Sequence, residues 1–359
     1  MTMSHSILAV ATAAAVALAA CGSGSDEAAT TAVPTTDSSA DDDPDTSASS
    51  TEGPEVVSGV VTISDDLGDV EVDAPATVIV TTSDEATEMV VALGLEPVGV
   101  ASTRVDASVR DDDRFADYFI GAEALGTPEF VGADSLNFES IAALDPDFIV
   151  HAAADDNVET LREIAPTAVF DIQMPGRWQD ALVEVGTATG RSDAAADLIA
   201  AYDALLVDAR SQLEAIAAGA PELTVIYPNY RGGDDNFVFD ADFALASVVP
   251  DLGFDLVGID AAEPAFPGVG TISTERYEDL AAGTDTIIAV GPDDWATTAS
   301  GPFLELLSVP VLSLQVDEGR PSTGPLSAPV YLQRFLDALT AHYGDSVASG
   351  GAEAVEALG

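Results

Sequence analysis

Leu136-Asn137-Phe138-Glu139-Ser140-Ile141-Ala142-Ala143-Leu144-Asp145-Pro146-Asp147-Phe148-Ile149-Val150 is the stretch on which the fold turns. Phe138 to Leu144 carries a helical pattern that stops before Asp145-Pro146, because the residue ahead of a proline is pushed out of helical geometry. Phe148-Ile149-Val150 follows at once as an apolar strand. A short helix feeding directly into a strand is one step of parallel α/β construction.

The same alternation extends in both directions. Upstream, Val78 to Thr81 reads as a buried strand, Ser83 caps a helix that runs through Leu93 to Gly94, and Pro97 to Ala101 is a second strand ahead of a long loop through Phe119. Downstream lie a helix from Asn157 to Ile164 and a strand at Ala168 to Phe170. Arg177 to Ala188 is helical, Gly190 breaks it, and a long helix follows from about Ala194 to Ala218. At 1.5 Å per residue that helix spans ~37 Å, with Leu198, Tyr202, Leu205, Ala209, Leu213 and Ile216 along one stripe. A second alternating unit starts at Leu223 to Tyr227, with helices at 244–252 and 278–282, strands at 286–290 and 311–314, and a terminal helix from Val330 to Tyr343. The expected fold class is α/β: two α/β lobes joined by one long rigid helix, with a ligand cleft between them at the carboxyl ends of the strands.

The N-terminus carries an apolar run from Ile7 to Ala20, shorter than the ~20 residues of a membrane-spanning helix and suited to a signal-peptide core. It ends in Leu18-Ala19-Ala20-Cys21, which resembles the lipobox of bacterial lipoproteins, and the resemblance implies acylation of Cys21. Met1 to Ser6 holds no Lys or Arg, a departure from the usual basic start. From Gly22 to about Glu55 the chain is Ser, Thr, Ala, Pro, Gly and acid, too poor in large apolar residues to offset ordering entropy. The expected organisation is a signal peptide at 1–20, a lipid-anchored acidic linker at 21–55, an N-terminal lobe at 56–176, connecting helices at 177–219, a C-terminal lobe at 220–345 and a tail at 346–359. Cys21 is the single cysteine, so no disulfide or CxxC site follows.

Sixty-three acids face 11 bases, a net charge of −52, and every base is arginine. The acids are spread over the whole chain, as for a solvated surface suited to salt, and no calcium-loop spacing occurs among them. Nucleic acid is excluded, since a phosphate backbone would be repelled.

With Ala76-Thr77-Val78-Ile79-Val80, Ala92-Leu93-Gly94-Leu95-Glu96-Pro97-Val98-Gly99-Val100 and Ile272-Ser273-Thr274-Glu275-Arg276-Tyr277 beside it, the opening stretch resembles the substrate-binding lipoproteins of iron-siderophore and cobalamin ABC importers. The resemblance covers roughly Val70 to Leu339 and implies an extracytoplasmic, membrane-anchored monomer. Such a protein captures a ferric siderophore and delivers it to an ABC permease dimer with its ATPase; cobalamin or haem is the alternative cargo. It also implies that Glu139 and Glu275, in matching places of the two lobes, engage permease arginines.

A ferric siderophore is often anionic, so scarce arginines in loops are informative. Arg104 and Arg231 are the leading ligand contacts, since the family places cleft arginines after the corresponding strands. Arg177 beside Trp178 and Arg320 in Gly319-Arg320-Pro321 are further loop candidates, as are Arg110 and Arg114. Tyr230 and Trp295 are placed to stack on a planar ligand, and Phe266 to wall the cleft. Trp178 is expected in the core, and His151 after a strand is a candidate cleft residue. Beyond the expected signal peptide only His151 and His342 remain, too few for a protein metal site, and no resident cofactor is expected. No Gly-x-Ser-x-Gly elbow, phosphate loop or dinucleotide fingerprint is present, so an enzyme reading, a lipid-anchored hydrolase, lacks its parts.

Overall fold

The computed structural model describes residues 58–102, 125–132, 135–152, 154–172, 174–228, 235–291, 304–315 and 324–356. The apolar run at 7–20, Cys21 and the acidic linker lie outside them. Among the described residues no helix is long and apolar enough to cross a membrane.

An antiparallel hairpin that the sequence reading did not foresee comes first, β1 (Gly59–Asp65) and β2 (Gly68–Ala74). Val70, Val72 and Ala74 turn inward while Asp69, Glu71 and Asp73 face water, the period-two pattern of a half-buried strand. Its turn is stapled to the lobe behind it. The Asp65 carboxylate, fully buried, accepts from Arg162 Nη2 at 2.6 Å and from the Val169 amide at 3.0 Å. The Asp66 carboxylate takes Arg177 Nη2 and the Asp171 amide.

The N-terminal lobe runs β3 (Ile79–Thr81), α1 (Asp84–Ala92), β4 (Gly99–Ala101), β5 (Glu129–Gly132), α2 (Phe138–Ala143), β6 (Phe148–His151), α3 (Val158–Ile164) and β7 (Thr167–Val169). Its five strands are all parallel in the order β5-β4-β3-β6-β7. Ser83 caps α1 by accepting from the Ala86 amide at 3.0 Å, and Asn137 caps α2 by accepting from the Ser140 amide at 3.1 Å. Helix α2 ends because Asp145 takes a left-handed φ of 50°, a conformation Asp tolerates better than most residues. Leu144 then packs so closely on β4 that a Cβ on Gly99 would lie 2.6 Å from its Cδ1. Two of the sequence blocks that carry the family resemblance therefore meet at this contact.

Asp147 explains the rest of the opening motif. Its carboxylate accepts from the Thr77 amide at 2.9 Å, Thr77 Oγ1 at 3.1 Å and the Val78 amide at 2.9 Å, while its own amide donates to Val78 O. One side chain thus stitches the entry of β6 to the entry of β3. The second lobe repeats the device, since Asp285 Oδ2 accepts from the Glu222 amide at 3.0 Å and the Asp285 amide donates to Glu222 O at 2.8 Å. Asp147→Ala is expected to lower unfolding free energy by about 2–3 kcal/mol, as loss of hydrogen bonds to a charged acceptor does, and urea denaturation against the parent measures it.

Helix α4 (Arg177–Ala188) leads to α5 (Ser192–Ala217), 26 residues long. Leu198 and Ile199 pack on the N-terminal core around Met89, Phe148 and Leu182, and Leu213 and Ile216 belong to the C-terminal core around Val225, Val249 and Phe335. Tyr202 touches both. The C-terminal lobe follows: β8 (Glu222–Tyr227), β9 (Asp235–Phe239), α6 (Ala244–Asp251), β10 (Asp255–Leu256), β11 (Glu263–Phe266), β12 (Val269–Ser273), α7 (Tyr277–Ala281), β13 (Thr286–Gly291), β14 (Val311–Gln315) and α8 (Ser327–Glu356). Its sheet has the order β11-β12-β9-β8-β13-β14, with β10 also on β8. Only β8, β10, β13 and β14 pair in parallel, while β9, β12 and β11 join antiparallel. Two expectations change here. The second lobe is mixed instead of purely parallel, because β8 turns back through β9, and the terminal helix runs on to Glu356 instead of stopping at Tyr343.

Candidate functional site

In the N-terminal sheet, β3 leads to β4 and β5 on one side and to β6 and β7 on the other, so the order reverses between the carboxyl ends of β3 and β6. Open parallel sheets bind ligands outside such a switch point. Two residues meet there, Thr82 just past β3 and His151 at the end of β6, with Thr82 Oγ1 2.5 Å from His151 Nδ1. His151 Nε2 lies 3.1 Å from Asp155 Oδ1. A carboxylate only accepts, so Nε2 carries a proton whether the ring is neutral or charged, and the Thr82 hydroxyl can serve Nδ1 as donor or acceptor. Burial pushes the Asp155 carboxyl up, but the Asn157 amide, the His151 ring and the Asn157 side chain outweigh it and hold it below the ordinary carboxylate range. The stabilisation from that depressed value is present at neutral pH and drains as pH falls through it. His151 is 4 % exposed, so this trio braces the floor of the cleft instead of presenting a free imidazole.

In the C-terminal lobe the equivalent reversal lies at β8, flanked by β9 and β13. Strand β12 points the same way as β8, since both are antiparallel to β9. This places Glu139 and Glu275 alike. Glu139 is the second residue of α2, reached from the carboxyl end of edge strand β5, and Glu275 lies two residues past the carboxyl end of β12, the neighbour of edge strand β11. Both are exposed, and both precede a strand entered through a stitching aspartate. The two carboxylates therefore stand on corresponding outer rims of the two sheets, at the end where the strands finish.

The arginines divide. Arg162 pairs with Asp65, Arg210 with Asp251, and Arg276 with Asp279 and Glu263, while Arg334 lies over the Tyr331 ring. Arg191 stands at the start of α5. Arg177, one of the expected ligand contacts, is engaged by Asp66 and by Asp180 at 2.9 Å, so its guanidinium is held on the hairpin instead of turned to a ligand. Arg104, Arg231, Arg320, Tyr230 and Trp295 lie outside the described residues, as do Arg110 and Arg114. By chain position these seven follow the carboxyl ends of β4, β8, β13 and β14.

Phe266 is half exposed with its ring 6.3 Å from that of Phe237. It pairs in register with Val269, which sits level with Phe239 and Val225 and not with Ser273. Its ring reaches toward Phe237, which is level with Tyr227 at the carboxyl end of β8. Trp178 is core, edge-on to Tyr202 at 5.2 Å. His342 is partly buried, edge-on to Tyr343 at 4.5 Å. A separate crevice of about 220 Å³ lies along the spanning helix, lined by Trp178, Tyr202, Asp203, Asp251 and Tyr331 among others. Burial, with Asp251 and Asp203 adding to it, pushes the Tyr202 phenol up to about 12. Burial also raises Asp251, against the pull of Arg210.

Sequence reasoning missed Thr82 and Asp155. The run Thr81-Thr82-Ser83 at the end of a buried strand was the available signal, since hydroxyls at that point must find partners in the floor of the cleft.

Residues 79–262, just over half of the chain, match the periplasmic binding protein family. The probable siderophore-binding lipoprotein YfiY of Bacillus subtilis (strain 168) is 27% identical over 179 residues, 49% of this chain and 51% of that protein. The ferric enterobactin-binding periplasmic protein FepB of Escherichia coli O6:H1 is 24% identical over 234 residues, 63% of this chain and 70% of that one. The match to the first of these spans about half of that relative's length. PiaA of Streptococcus pneumoniae TIGR4, solved in complex with ferrichrome, superposes with a TM-score of 0.59 at 19% identity, over 78% of this chain and 97% of that chain, and so shares the fold. These relatives are solute-binding proteins. With the matched family, the two-lobed α/β architecture and the helix that packs into both cores, the chain belongs to the periplasmic binding protein family.

Proposed function

We propose that this protein captures a ferric siderophore outside the cytoplasm and hands it to an ABC permease. One observation carries the reading: five of the eleven arginines, Arg104, Arg110, Arg114, Arg231 and Arg320, come in chain order after the carboxyl ends of β4, β8 and β14. In a chain of net charge −52 an anionic ligand needs such a local reversal of sign. Siderophore binding in the names of YfiY and FepB supports the same cargo.

Arg104 and Arg231 bind the anionic chelate from opposite lobes, with Arg320 beside them, and Tyr230 and Trp295 stack on its planar groups. Iron arrives already chelated, so the protein supplies neither a metal site nor a catalytic step, and it has no resident cofactor. Glu139 and Glu275 dock on the permease dimer, which works with its ATPase. The acylated Cys21 holds a monomer on the outer face of the membrane, and residues 22–55 tether the lobes to it.

Intrinsic tryptophan fluorescence tests the cargo. Saturable quenching by ferric catecholate or hydroxamate siderophores is expected, with none from cyanocobalamin or haemin. Saturation by either of the latter, with no response to the ferric siderophores, overturns the reading.

A further inference from the structure

Glu88 lies on α1 in the N-terminal lobe and is 2 % exposed. Its carboxylate accepts from the Leu326 amide at 2.7 Å and the Ser327 amide at 2.5 Å through Oε1, and from Ser327 Oγ at 3.0 Å through Oε2. Those donors form the start of α8, a helix 239 residues further along the chain. Helix α8 has two allegiances. Leu326 packs on the N-terminal residues Val91, Val100 and Leu125, and Ala328 on the main N-terminal core, whereas Tyr331, Leu332, Phe335, Leu336 and Leu339 belong to the C-terminal core.

A carboxylate at a helix N-terminus satisfies amides that the helix itself cannot, and its charge is favoured by the helix dipole. The fit is close. A Cβ on Gly324 would come within 2.6 to 2.8 Å of the Glu88 carboxylate atoms, and the Gly324 amide donates to Ser327 Oγ at 2.9 Å, which orients that hydroxyl toward Glu88.

We infer that Glu88 is a positioning residue, a clasp that seats the first turn of α8 in the N-terminal lobe and so fixes the angle between the lobes alongside the spanning helix α5. The lobes then have two joints, one through the continuous backbone of α5 and one at the start of α8, where the buried Glu88 carboxylate supplies the hydrogen bonds beside the packing of Leu326 and Ala328. Because α8 follows β14, whose carboxyl end faces the cleft, the clasp holds the cleft preformed whatever its cargo.

The test uses the full-length chain carrying Cys21→Ser, with spin labels at Glu159→Cys on α3 and Glu278→Cys on α7, both exposed positions in different lobes. Double electron–electron resonance reads the interlobe distance, and hydrogen exchange reads the first turn of α8. Glu88→Ala and Gly324→Ala are expected to broaden the distance distribution at least about twofold and to speed exchange at Leu326 and Ser327 by about tenfold or more, with β8 and β13 unchanged. Ser327→Ala, which removes one donor and keeps both amides, shifts both readouts the same way but less. A parental distribution in Glu88→Ala overturns the inference, and so does exchange that quickens equally in α1 and β3, since that marks simple loss of the lobe's own stability. If Glu88→Ala fails to fold, Gly324→Ala and Ser327→Ala decide, and parental distributions in both reject the clasp.

Discussion

Uptake is expected to fall to background when Glu139 and Glu275 are both replaced by alanine, while ligand affinity stays within about twofold of the parent, as for sites without shared partners. The two residues are exposed on rims at opposite sheets, each in the first turn of a short helical segment that a neighbouring strand positions. Two separated carboxylates on a rigid body can meet two related cationic sites on a membrane dimer at once, and losing both removes the charge pairs that set orientation. Each single variant is expected to retain partial transport. Transport of a radiolabelled ferric siderophore into whole cells, compared with fluorescence affinity of the purified variants, separates the two quantities. A loss of affinity equal to the loss of transport would place the glutamates in the cleft and reject the docking role.

Expectation and structure agree where a residue's neighbours in sequence decide its conformation. Ser83 caps its helix, Asp145 stops α2, and α5 emerges within two residues of its expected ends, because caps, stops and apolar stripes are local signals. They part where pairing is nonlocal. The β1–β2 hairpin shows clean alternation at Asp69 to Ala74, yet within the expected lobe at 56–176 it is assigned no strands, since its pairing is not announced by a helix or cap beside it. Strands β9, β11 and β12 are short and antiparallel, and the register of β9 and β12 depends on partners 30 to 38 residues away, from Val269 with Phe239 to Ser273 with Asp235. The terminal helix, expected to end at Tyr343, continues through Gly344, Gly350 and Gly351 to Glu356.

The candidate site was legible in part, and its chemistry explains the difference. Arg177 looked free in the sequence because its partner Asp66 lies 111 residues away on a hairpin that had not been read. Glu88 was one acid among 63, and nothing near it in the chain announces that its donors begin the last helix. Glu139 stood out through the family resemblance of the block it sits in, and Asp285 repeats the stitch of Asp147 beside Glu275 in the second lobe.

Removing Arg104 and Arg231 together is expected to have the largest effect on binding itself. Each arginine presents planar donors and a charge that does not titrate away, and truncating a charge contact inside a desolvated cleft costs about 2–3 kcal/mol, or roughly 30- to 150-fold in affinity. With 63 acids, 11 arginines and no lysine, the chain has few other cations to make good the loss. An anionic ferric siderophore should therefore weaken by the sum of the two single losses, with coupling beyond additivity only if both guanidinium groups share one cluster of ligand oxygens. A neutral ferric hydroxamate should weaken far less, because it offers no net charge for the arginines to meet. Titration of both ligands against Arg104→Ala, Arg231→Ala and the double variant measures this. Equal weakening of the neutral and anionic chelates would show that the arginines act through packing, and unchanged affinity for both would remove them from the cleft.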